Sequence, residues 1–417
     1  MTREERSWIL QDFGNSAYSI AITTALLPVF FKSVAAKGMD GAQSTAYWGY
    51  ANSIATLIIA VLAPILGSLA DYKGYKKRFF NTFVILAIIS TASLALVGEG
   101  SWLFCLLIYV FSVIGSTGAS IFYDAFLTDV TTDEKMDMIS SQGFGFGYLG
   151  GTVGFGLCMA FILLGPKFLG ISTSTATRVA FIITAVWWLA FSVPFFKNVH
   201  QTYYLEGRPQ NVSNVFKKLF HTFKEIVGYK NLLYFFLAYF FYIDGVHTII
   251  SMATPIGVDM GLDSQKLLII LLFIQLIAFP FAILYGYLAK RVGARAMIMV
   301  GIITYVGITV FALTLDTIFD FWILAFLVAT AQGGIQALSR SFFGKLIPKE
   351  KSAEYFGVFN IFGKISSILG PVMVGVVSQA TGDTRFGILS LIILFILGLV
   401  FFLKVEANPA KLHETEY

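Results

Sequence analysis

The sequence predicts an all-α membrane protein of twelve transmembrane helices in two pseudo-symmetric six-helix bundles. Three observations support this fold class: few charged residues, a series of long apolar runs and an internal repeat. Of the 417 residues, 57% are hydrophobic and only 13% are charged, whereas an average soluble domain carries about 25% charged residues. Little of the surface of this chain is therefore expected to face water.

Twelve apolar runs are each long enough to cross a bilayer, which takes roughly 20 apolar residues. The runs are continuous and do not show the alternation of barrel strands. Because backbone groups in lipid must be hydrogen-bonded within their own segment, each run is predicted to be a helix. The predicted spans are 8–31, 43–70, 79–97, 102–128, 142–164, 177–197, 230–253, 264–289, 296–315, 319–343, 355–380 and 385–404.

The distribution of Lys and Arg predicts the orientation of the chain. With the N-terminus in the cytoplasm, 21 of the 29 cationic residues fall in inner segments and six in outer segments. Cytoplasmic loops carry the excess of Lys and Arg in membrane proteins. Both termini are therefore predicted to be cytoplasmic, as an even number of spans requires.

An internal repeat divides the spans six and six. Residues 67–74 (G-S-L-A-D-Y-K-G) follow the second span, and residues 286–293 (G-Y-L-A-K-R-V-G) follow the eighth. Two related halves are a known plan of transporters. The predicted domains are an N-terminal bundle, a cytoplasmic linker that is either solvated or an interfacial helix, a C-terminal bundle and a cytoplasmic tail: 1–197, 198–229, 230–404 and 405–417.

Several classes of function are excluded by composition and motifs. The small positive charge does not indicate nucleic-acid binding, and Cys105 and Cys158 lie in apolar spans, where thiols act as small hydrophobes. The G-x-G-x-x-G match at 145–150 lacks the βαβ context of a dinucleotide site. It indicates close helix packing through Gly147 and Gly151 instead. We therefore predict no metal, no cofactor and no ATP-driven mechanism.

The loop after the second span carries a family resemblance. Residues 67–78, G-S-L-A-D-Y-K-G-Y-K-K-R, resemble the loop signature of the major facilitator superfamily, and a degenerate copy follows the eighth span. Residues 12–18, 122–127 and 333–341 are similar to the vacuole-effluxer-like branch, which includes the fungal autophagy-related amino-acid effluxer and bacterial members. This branch usually has Asn where the present chain has Asp124.

The resemblance implies a cytoplasmic gate formed by Gly67, Asp71, Gly74 and Arg78. Asp71 would face the N-terminus of the eleventh helix, where free backbone N–H groups and the helix dipole stabilise a carboxylate. Arg78 and the neighbouring lysines would hold the inner helix ends together. The alternative is that these cations only set the topology.

Ionisable residues within the spans are costly and usually functional. By the resemblance, helices 1, 4, 7 and 10 line a central cavity. Five of the six ionisable residues well within the spans lie on these helices: Asp12, Asp124, Asp244, His247 and Arg340, whereas Lys364 lies on helix 11. Their polar neighbours recur three or four positions apart, which places them on shared helix faces. The predicted substrate-cavity residues are Asp12, Asn15, Tyr18, Asp124, Asp244, Gln332, Gln336, Arg340 and Lys364.

Depth in the membrane separates the expected roles of these residues. Asp12, Asp124 and Arg340 lie near the predicted cytoplasmic ends, where they either close an inner gate or snorkel to the interface. Asp244 and His247 lie near the midplane, one turn apart. A buried carboxylate beside an imidazole is typical of a proton-coupling site. A hydrogen-bonded structural pair is the alternative.

The predicted function is a secondary active transporter of a small polar or zwitterionic solute, amino-acid-like by the resemblance, which works by alternating access and is coupled to protons. The alternatives are a transporter of an amphiphilic or lipid-like solute, or a non-transporting receptor or sensor on the same scaffold. An enzyme is disfavoured because no nucleophile–base pair is apparent. The expected partners are the solute, protons and membrane lipids; the expected state is a monomer in a bacterial inner membrane.

Overall fold

The computed structural model describes residues 1–207, 222–259 and 264–406, and in these residues twelve helices are long and apolar enough to cross a membrane. All twelve predicted spans are confirmed. The helices are α1 (Arg3–Ala35), α2 (Gly41–Ala70), α3 (Tyr75–Leu96), α4 (Trp102–Val130), α5 (Asp133–Leu169), α6 (Thr173–Asn198), α7 (Lys230–Asp259), α8 (Ser264–Val292), α9 (Ala294–Thr314), α10 (Ile318–Leu346), α11 (Lys349–Thr381) and α12 (Thr384–Leu403).

Side-chain caps define several helix ends. Thr2 and Glu5 form a capping box at the start of α1, and Thr317 and Asp320 form another at the start of α10. Each box satisfies backbone N–H groups that the first helical turn leaves without partners. Gly74 precedes α3 with a φ of +79°, a conformation that favours glycine. The loop between α2 and α3 therefore depends on Gly74, the second glycine of the sequence signature.

Helices α1 and α11 depart from regular α geometry within their spans. Helix α1 contains π-helical turns at Ser19–Ala25 and Phe31–Ala35. Helix α11 is interrupted: its first α segment ends at Ser366 and its second begins at Leu369. Broken helices at membrane depth line cavities and binding sites in transporters.

The chain divides into two compact units. The first comprises Met1–Val130 and Phe146–Gln210, and the second comprises Thr131–Gly145 and Asn211–Tyr417. Helix α5 is thus shared, with its first part in the second unit. This differs from the predicted cut after the sixth span, because the polar start of α5 is paired with side chains of α10, as described below.

Helix α5 and helix α1 pack closely within the first unit. A Cβ built at Gly151 would lie 2.9 Å from Ile20 Cδ1, and one built at Gly147 would lie 2.9 Å from Ser16 Oγ. Small residues allow helix backbones to approach in this way. The two glycines proposed for helix packing therefore lie where α1 leaves no room for a larger side chain.

An aromatic cluster forms much of the interior of the second unit. The ring of Phe235 on α7 stacks on Phe342 and Phe343 of α10, with centroids 5.7 and 5.8 Å apart. Phe359 on α11 stacks on Phe343 at 4.7 Å. The cluster holds three helices together on the side of the unit where α7 and α11 begin.

The predicted linker is described only in part. Residues 199–207 follow α6 and pack on the first unit, and residues 222–228 are helical. Most of the aromatic and lysine run that suggested an interfacial helix, and nearly all of the C-terminal tail, lie outside the described residues. Those two interpretations stay predictions.

Candidate functional site

The break in α11 is held by a buried carboxylate from α7. Both oxygens of Asp244 accept a hydrogen bond from the Gly370 N–H, at 3.0 and 2.9 Å for Oδ1 and Oδ2. The hydroxyl of Thr248, one turn along α7, donates to Oδ1 at 3.3 Å. Asp244 is fully buried. A carboxylate at the start of a helix is stabilised by the free N–H groups and the helix dipole. Asp244 therefore caps the second segment of α11.

His247 lies at the same break with partners of its own. Its Nδ1 is 2.9 Å from Ser367 Oγ, in the turn between the two α11 segments. Gln336 of α10 is a further hydrogen-bonding neighbour, and Lys364 is close enough to interact electrostatically with the imidazole. Three helices thus bring polar groups to one point.

Asp244 and His247 were predicted as a pair, and the structure gives them separate hydrogen-bond partners. Asp244 is bonded to Gly370 and Thr248, and His247 is bonded to Ser367. Both residues nevertheless contact the break in α11. The side chain of Lys364 is exposed, and Asp244 is not.

A second polar cluster joins the start of α5 to the end of α10, within the second unit. Arg340 is 4% exposed, and its Nε and Nη2 donate to Ser140 Oγ and Ser140 O at 3.0 and 3.1 Å. Its guanidinium carbon lies 4.5 Å from the ring centroid of Phe144. Arg340 is therefore held by hydrogen bonds and a cation–π contact.

Ion pairs also join the start of α5 to α10 and to the start of α11. Asp137 accepts from Lys345 Nζ at 2.6 Å and from Ser341 Oγ at 2.7 Å. One turn before Asp137, Asp133 is 3.0 Å from Lys349. These contacts explain why α5 begins at Asp133 and not near residue 142 as the apolar run predicts.

The predicted cavity residues of the first unit differ in exposure. Asp12, Asn15 and Asp124 are half-buried. Tyr18 is 1% exposed, with its hydroxyl 3.0 Å from Ser112 Oγ and its ring against Trp188. Tyr18 therefore lies in the core of the first unit in this structure, and its assignment to the cavity stays a prediction.

In the second unit, Gln332 is 3% exposed and Gln336 is half-buried. The Nε2 of Gln336 donates to the Gln332 carbonyl at 2.9 Å, across one turn of α10. Of the residues on the predicted polar face of α10, Gln336 is the one that lies beside His247 at the break in α11.

The proposed gate loop is built around a buried ion pair that sequence reasoning did not identify. Lys76 Nζ lies 2.8 Å from Asp129 Oδ2, and both side chains are fully shielded. Asp129 Oδ1 also accepts from the N–H groups of Thr202 and Tyr203, at 2.8 and 2.9 Å. The loop, the end of α4 and the first residues of the linker are thereby tied together.

Asp71, Gly74 and Arg78 were also predicted to belong to the gate. Asp71 is fully buried, and its carbonyl accepts from the Leu205 N–H at 2.8 Å. The Gly74 N–H donates to Gln201 Oε1 at 2.8 Å. Arg78 is exposed and lies over the ring of Tyr75. Lys76, and not Arg78, is thus the cation of the loop that is buried with a carboxylate.

Two sequence signals pointed to residues that were missed. Gly370 precedes Pro371, and a Gly-Pro pair commonly marks the end of a helical segment. Asp129 follows directly on the fourth apolar run. Neither signal predicts the interaction partner, because the partners are far away in the chain. Asp244 is 126 positions from Gly370, and Lys76 is 53 positions from Asp129. Among the described residues no group of three or more His, Cys, Asp or Glu side chains could hold a metal ion.

Comparison with known proteins gave concordant matches. The profile of the family described as "Vacuole effluxer Atg22 like" matches residues 1–135 and 128–414. The MFS-type transporter YxiO of Bacillus subtilis (strain 168) is 52% identical over 401 residues, which are 96% of this chain and 94% of YxiO. Autophagy-related protein 22 of Eremothecium gossypii is 22% identical over 410 residues, covering 88% of this chain and 78% of that protein.

Solved transporter structures match the fold at low identity. The proton:xylose symporter XylE has a TM-score of 0.76 and 13% identity, with 98% of this chain and 96% of that chain covered. The transporter FucP in its outward conformation has a TM-score of 0.71 and 15% identity, covering 96% of this chain and 98% of that chain. These matches show the fold alone, and they confirm the predicted fold class.

Proposed function

Since the chain belongs to the vacuole effluxer Atg22-like family of major facilitator superfamily transporters, and is a multi-pass membrane protein and not an enzyme, we propose that it moves a small polar or zwitterionic solute by alternating access, coupled to protons. By the family resemblance the solute is amino-acid-like. We place the protein in a bacterial plasma membrane, as a monomer with both termini in the cytoplasm.

The buried carboxylate of Asp244 is the observation that carries the proposed coupling. A charge at membrane depth is costly and is retained where it functions. Ionised Asp244 is stabilised by the Gly370 N–H and by the start of the second α11 segment. Protonation removes this electrostatic contribution. The protonation state of Asp244 and the conformation of α11 are therefore linked, which is what proton coupling requires.

The neighbours of Asp244 support a polar solute with an anionic group. Lys364 supplies an ammonium, and His247 and Gln336 supply hydrogen-bonding groups beside it. A cation with adjacent donors suits a carboxylate. We propose that the solute's carboxylate binds at this point of the second unit. In the first unit, the half-buried Asp12, Asn15 and Asp124 stay the proposed cavity residues.

The ion pairs at the predicted cytoplasmic ends support a role in gating. Lys76–Asp129 fixes the loop of the first unit, and Asp137–Lys345 joins α5 to α10 in the second. We propose that the Asp137–Lys345 pair opens when the cytoplasmic side opens, because it is partly exposed and an exposed pair is weak. The gate role of Asp71, Gly67, Gly74 and Arg78 remains part of this proposal.

The test uses the purified protein in two stages. Thermal stabilisation is first screened with amino acids, short peptides, sugars and amphiphiles, since a ligand of the folded state raises its melting temperature. The solute identified is then used in liposomes that contain a pH-sensitive dye. Wild type is expected to show solute-dependent proton flux and accumulation driven by a pH gradient.

Asp244→Asn is expected to abolish the proton flux and the accumulation while exchange of solute for solute continues. Asp40→Asn is the matched control, because Asp40 caps α2 in an exposed loop and Asn also caps. Accumulation by Asp244→Asn that still follows the pH gradient would refute the coupling role. Absence of stabilisation by every amino acid and peptide would refute the amino-acid-like solute.

A further inference from the structure

A cavity lies inside the second unit, one helical turn beyond the α11 break. It lies between side chains of α7 to α12 and has a volume of about 70 Å³. Ile249, Phe321, Leu324 and Ile388 are among its walls, and each is at most 6% exposed. Apart from two glutamines, the described side chains that line the cavity are apolar. The described lining of the cavity is therefore predominantly apolar and carries no charge.

Two glutamine side chains are the polar groups in the described lining of this cavity. Gln275 of α8 and Gln332 of α10 both line it. Gln275 Oε1 is buried and has no hydrogen-bond partner among the described residues. Gln332 is 3% exposed, and its carbonyl, not its amide, is engaged by Gln336. Buried polar groups are normally hydrogen-bonded, so an amide facing an apolar cavity indicates a missing partner.

We propose that this cavity binds a small uncharged molecule with an apolar body and one hydroxyl group. The aliphatic and aromatic walls suit the body, and the described lining offers no charge to balance an ion. A hydroxyl both donates and accepts, so it satisfies a glutamine amide in either orientation of that amide. The site shares Gln332 with the predicted substrate cavity, but its lining does not include Asp244, His247, Gln336 or Lys364, and its occupant is of a different chemical class.

The occupant touches helices that also carry the proposed coupling residues. Ile249 is five positions after Asp244 on α7, and Val374 on the cavity wall is four positions after Gly370 on α11. A bound molecule is therefore expected to stabilise the second unit close to the break. Binding can be measured without transport, so its result is independent of the proposed function.

The probe is a short aliphatic alcohol that carries a photoreactive diazirine, added to the full-length protein in lipid nanodiscs. After irradiation, the labelled peptides are identified by mass spectrometry. We expect labels on the cavity-facing residues of α7, α10 and α12. The unlabelled alcohol should compete for these positions more strongly than an alkane of the same length, because only the alcohol bonds to the glutamines.

Two variants and a control sharpen the test. Ala325→Phe places a ring in the cavity and should remove the labelling. Gln275→Leu keeps the cavity's size and should weaken competition by the alcohol about tenfold, as expected for one hydrogen bond, while competition by the alkane is unchanged. Gln43→Leu, at the exposed start of α2, is the matched control and should behave as wild type.

The proposal is overturned by labels that spread over lipid-facing helix surfaces, or by equal competition from alcohol and alkane in wild type. If Ala325→Phe does not fold, Gln275→Leu decides the question, because it tests the hydrogen bond without filling the space. Unchanged alcohol competition in Gln275→Leu and in the corresponding Gln332→Leu variant equally contradicts the site.

Discussion

The ammonium of Lys76 and the carboxylate of Asp129 lie 2.8 Å apart, and neither side chain has any surface exposed. Asp129 also holds the backbone N–H groups of Thr202 and Tyr203. One carboxylate thus joins the start of α3, the end of α4 and the chain that leaves α6. The pair therefore stabilises the first unit at the point where these three segments meet.

Breaking this pair is expected to destabilise the protein strongly. Asp129→Asn leaves a buried, unbalanced ammonium, which typically costs roughly 3–5 kcal/mol. Thermal unfolding of the purified protein should show a melting temperature lower by several degrees. The double variant Lys76→Met with Asp129→Asn should recover part of the loss, because no charge is then left unpaired.

The exposed pair Lys37–Glu99, also 2.8 Å apart, is the matched control. Its disruption by Glu99→Gln should cost at most about 1 kcal/mol, because exposed pairs contribute little. Equal losses from Asp129→Asn and Glu99→Gln would contradict the structural role of the buried pair.

A methyl group at the α11 break is expected to displace Asp244. A Cβ at Gly370 would lie 2.8 Å from Asp244 Oδ1 and would also meet the Thr248 side chain. Gly370→Ala should therefore lower stability by about 1–3 kcal/mol, the usual cost of overpacking. In liposomes it should also impair proton-driven accumulation, as Asp244→Asn does.

Gly375→Ala in the same α11 segment provides the comparison, since a Cβ there meets nothing within 4 Å. Its stability and transport should equal those of wild type. Were Gly370→Ala to transport normally with an unaltered response to the pH gradient, the capping contact would have no part in coupling.

Reversing one charge between α5 and α10 is expected to favour opening on the cytoplasmic side. Asp137 and Lys345 are partly exposed, with 13% and 28% of their side-chain surface accessible. Asp137→Lys should raise the alkylation rate of a cysteine placed at Gln336 roughly two- to fivefold, in line with a pair worth about 0.5–1 kcal/mol.

The double reversal, Asp137→Lys with Lys345→Asp, rebuilds the pair with opposite polarity and should restore the wild-type alkylation rate. The native cysteines Cys105 and Cys158 are buried and give little background. A double variant as reactive as the single one would show that the ion pair does not hold the closed arrangement.

Close packing of α1 on α5 should make Gly151 intolerant of a larger residue. A Cβ there would lie 2.9 Å from Ile20 Cδ1 and 3.3 Å from the Ser16 carbonyl oxygen. Gly151→Ala is expected to cost about 1–3 kcal/mol in thermal unfolding, because the helices must move apart. Gly156→Ala, where a Cβ meets nothing within 4 Å, should leave the melting temperature unchanged or higher. Similar melting temperatures for the two variants would argue against tight α1–α5 packing.

The helices could be predicted from the sequence because a long apolar run in a bilayer must satisfy its backbone hydrogen bonds within its own segment, which a helix does. It also predicted that Asp244, His247, Gln336 and Lys364 belong to a functional region, because polar groups within membrane spans are costly and usually functional. It did not predict the Asp244–Gly370 bond or the core position of Tyr18. Spacing along one helix specifies a face but not the residue that the face meets.

By itself the sequence determined the twelve membrane helices, the six-plus-six repeat and the family, because composition and motif are local properties of the chain. The tertiary structure alone decided that Asp244 caps a broken α11, that Lys76 pairs with Asp129 and that the start of α5 joins the second unit. Each of these depends on contacts between residues far apart in the chain. Buried charges take the partners that the packed helices bring to them, and only the packing determines which partners those are.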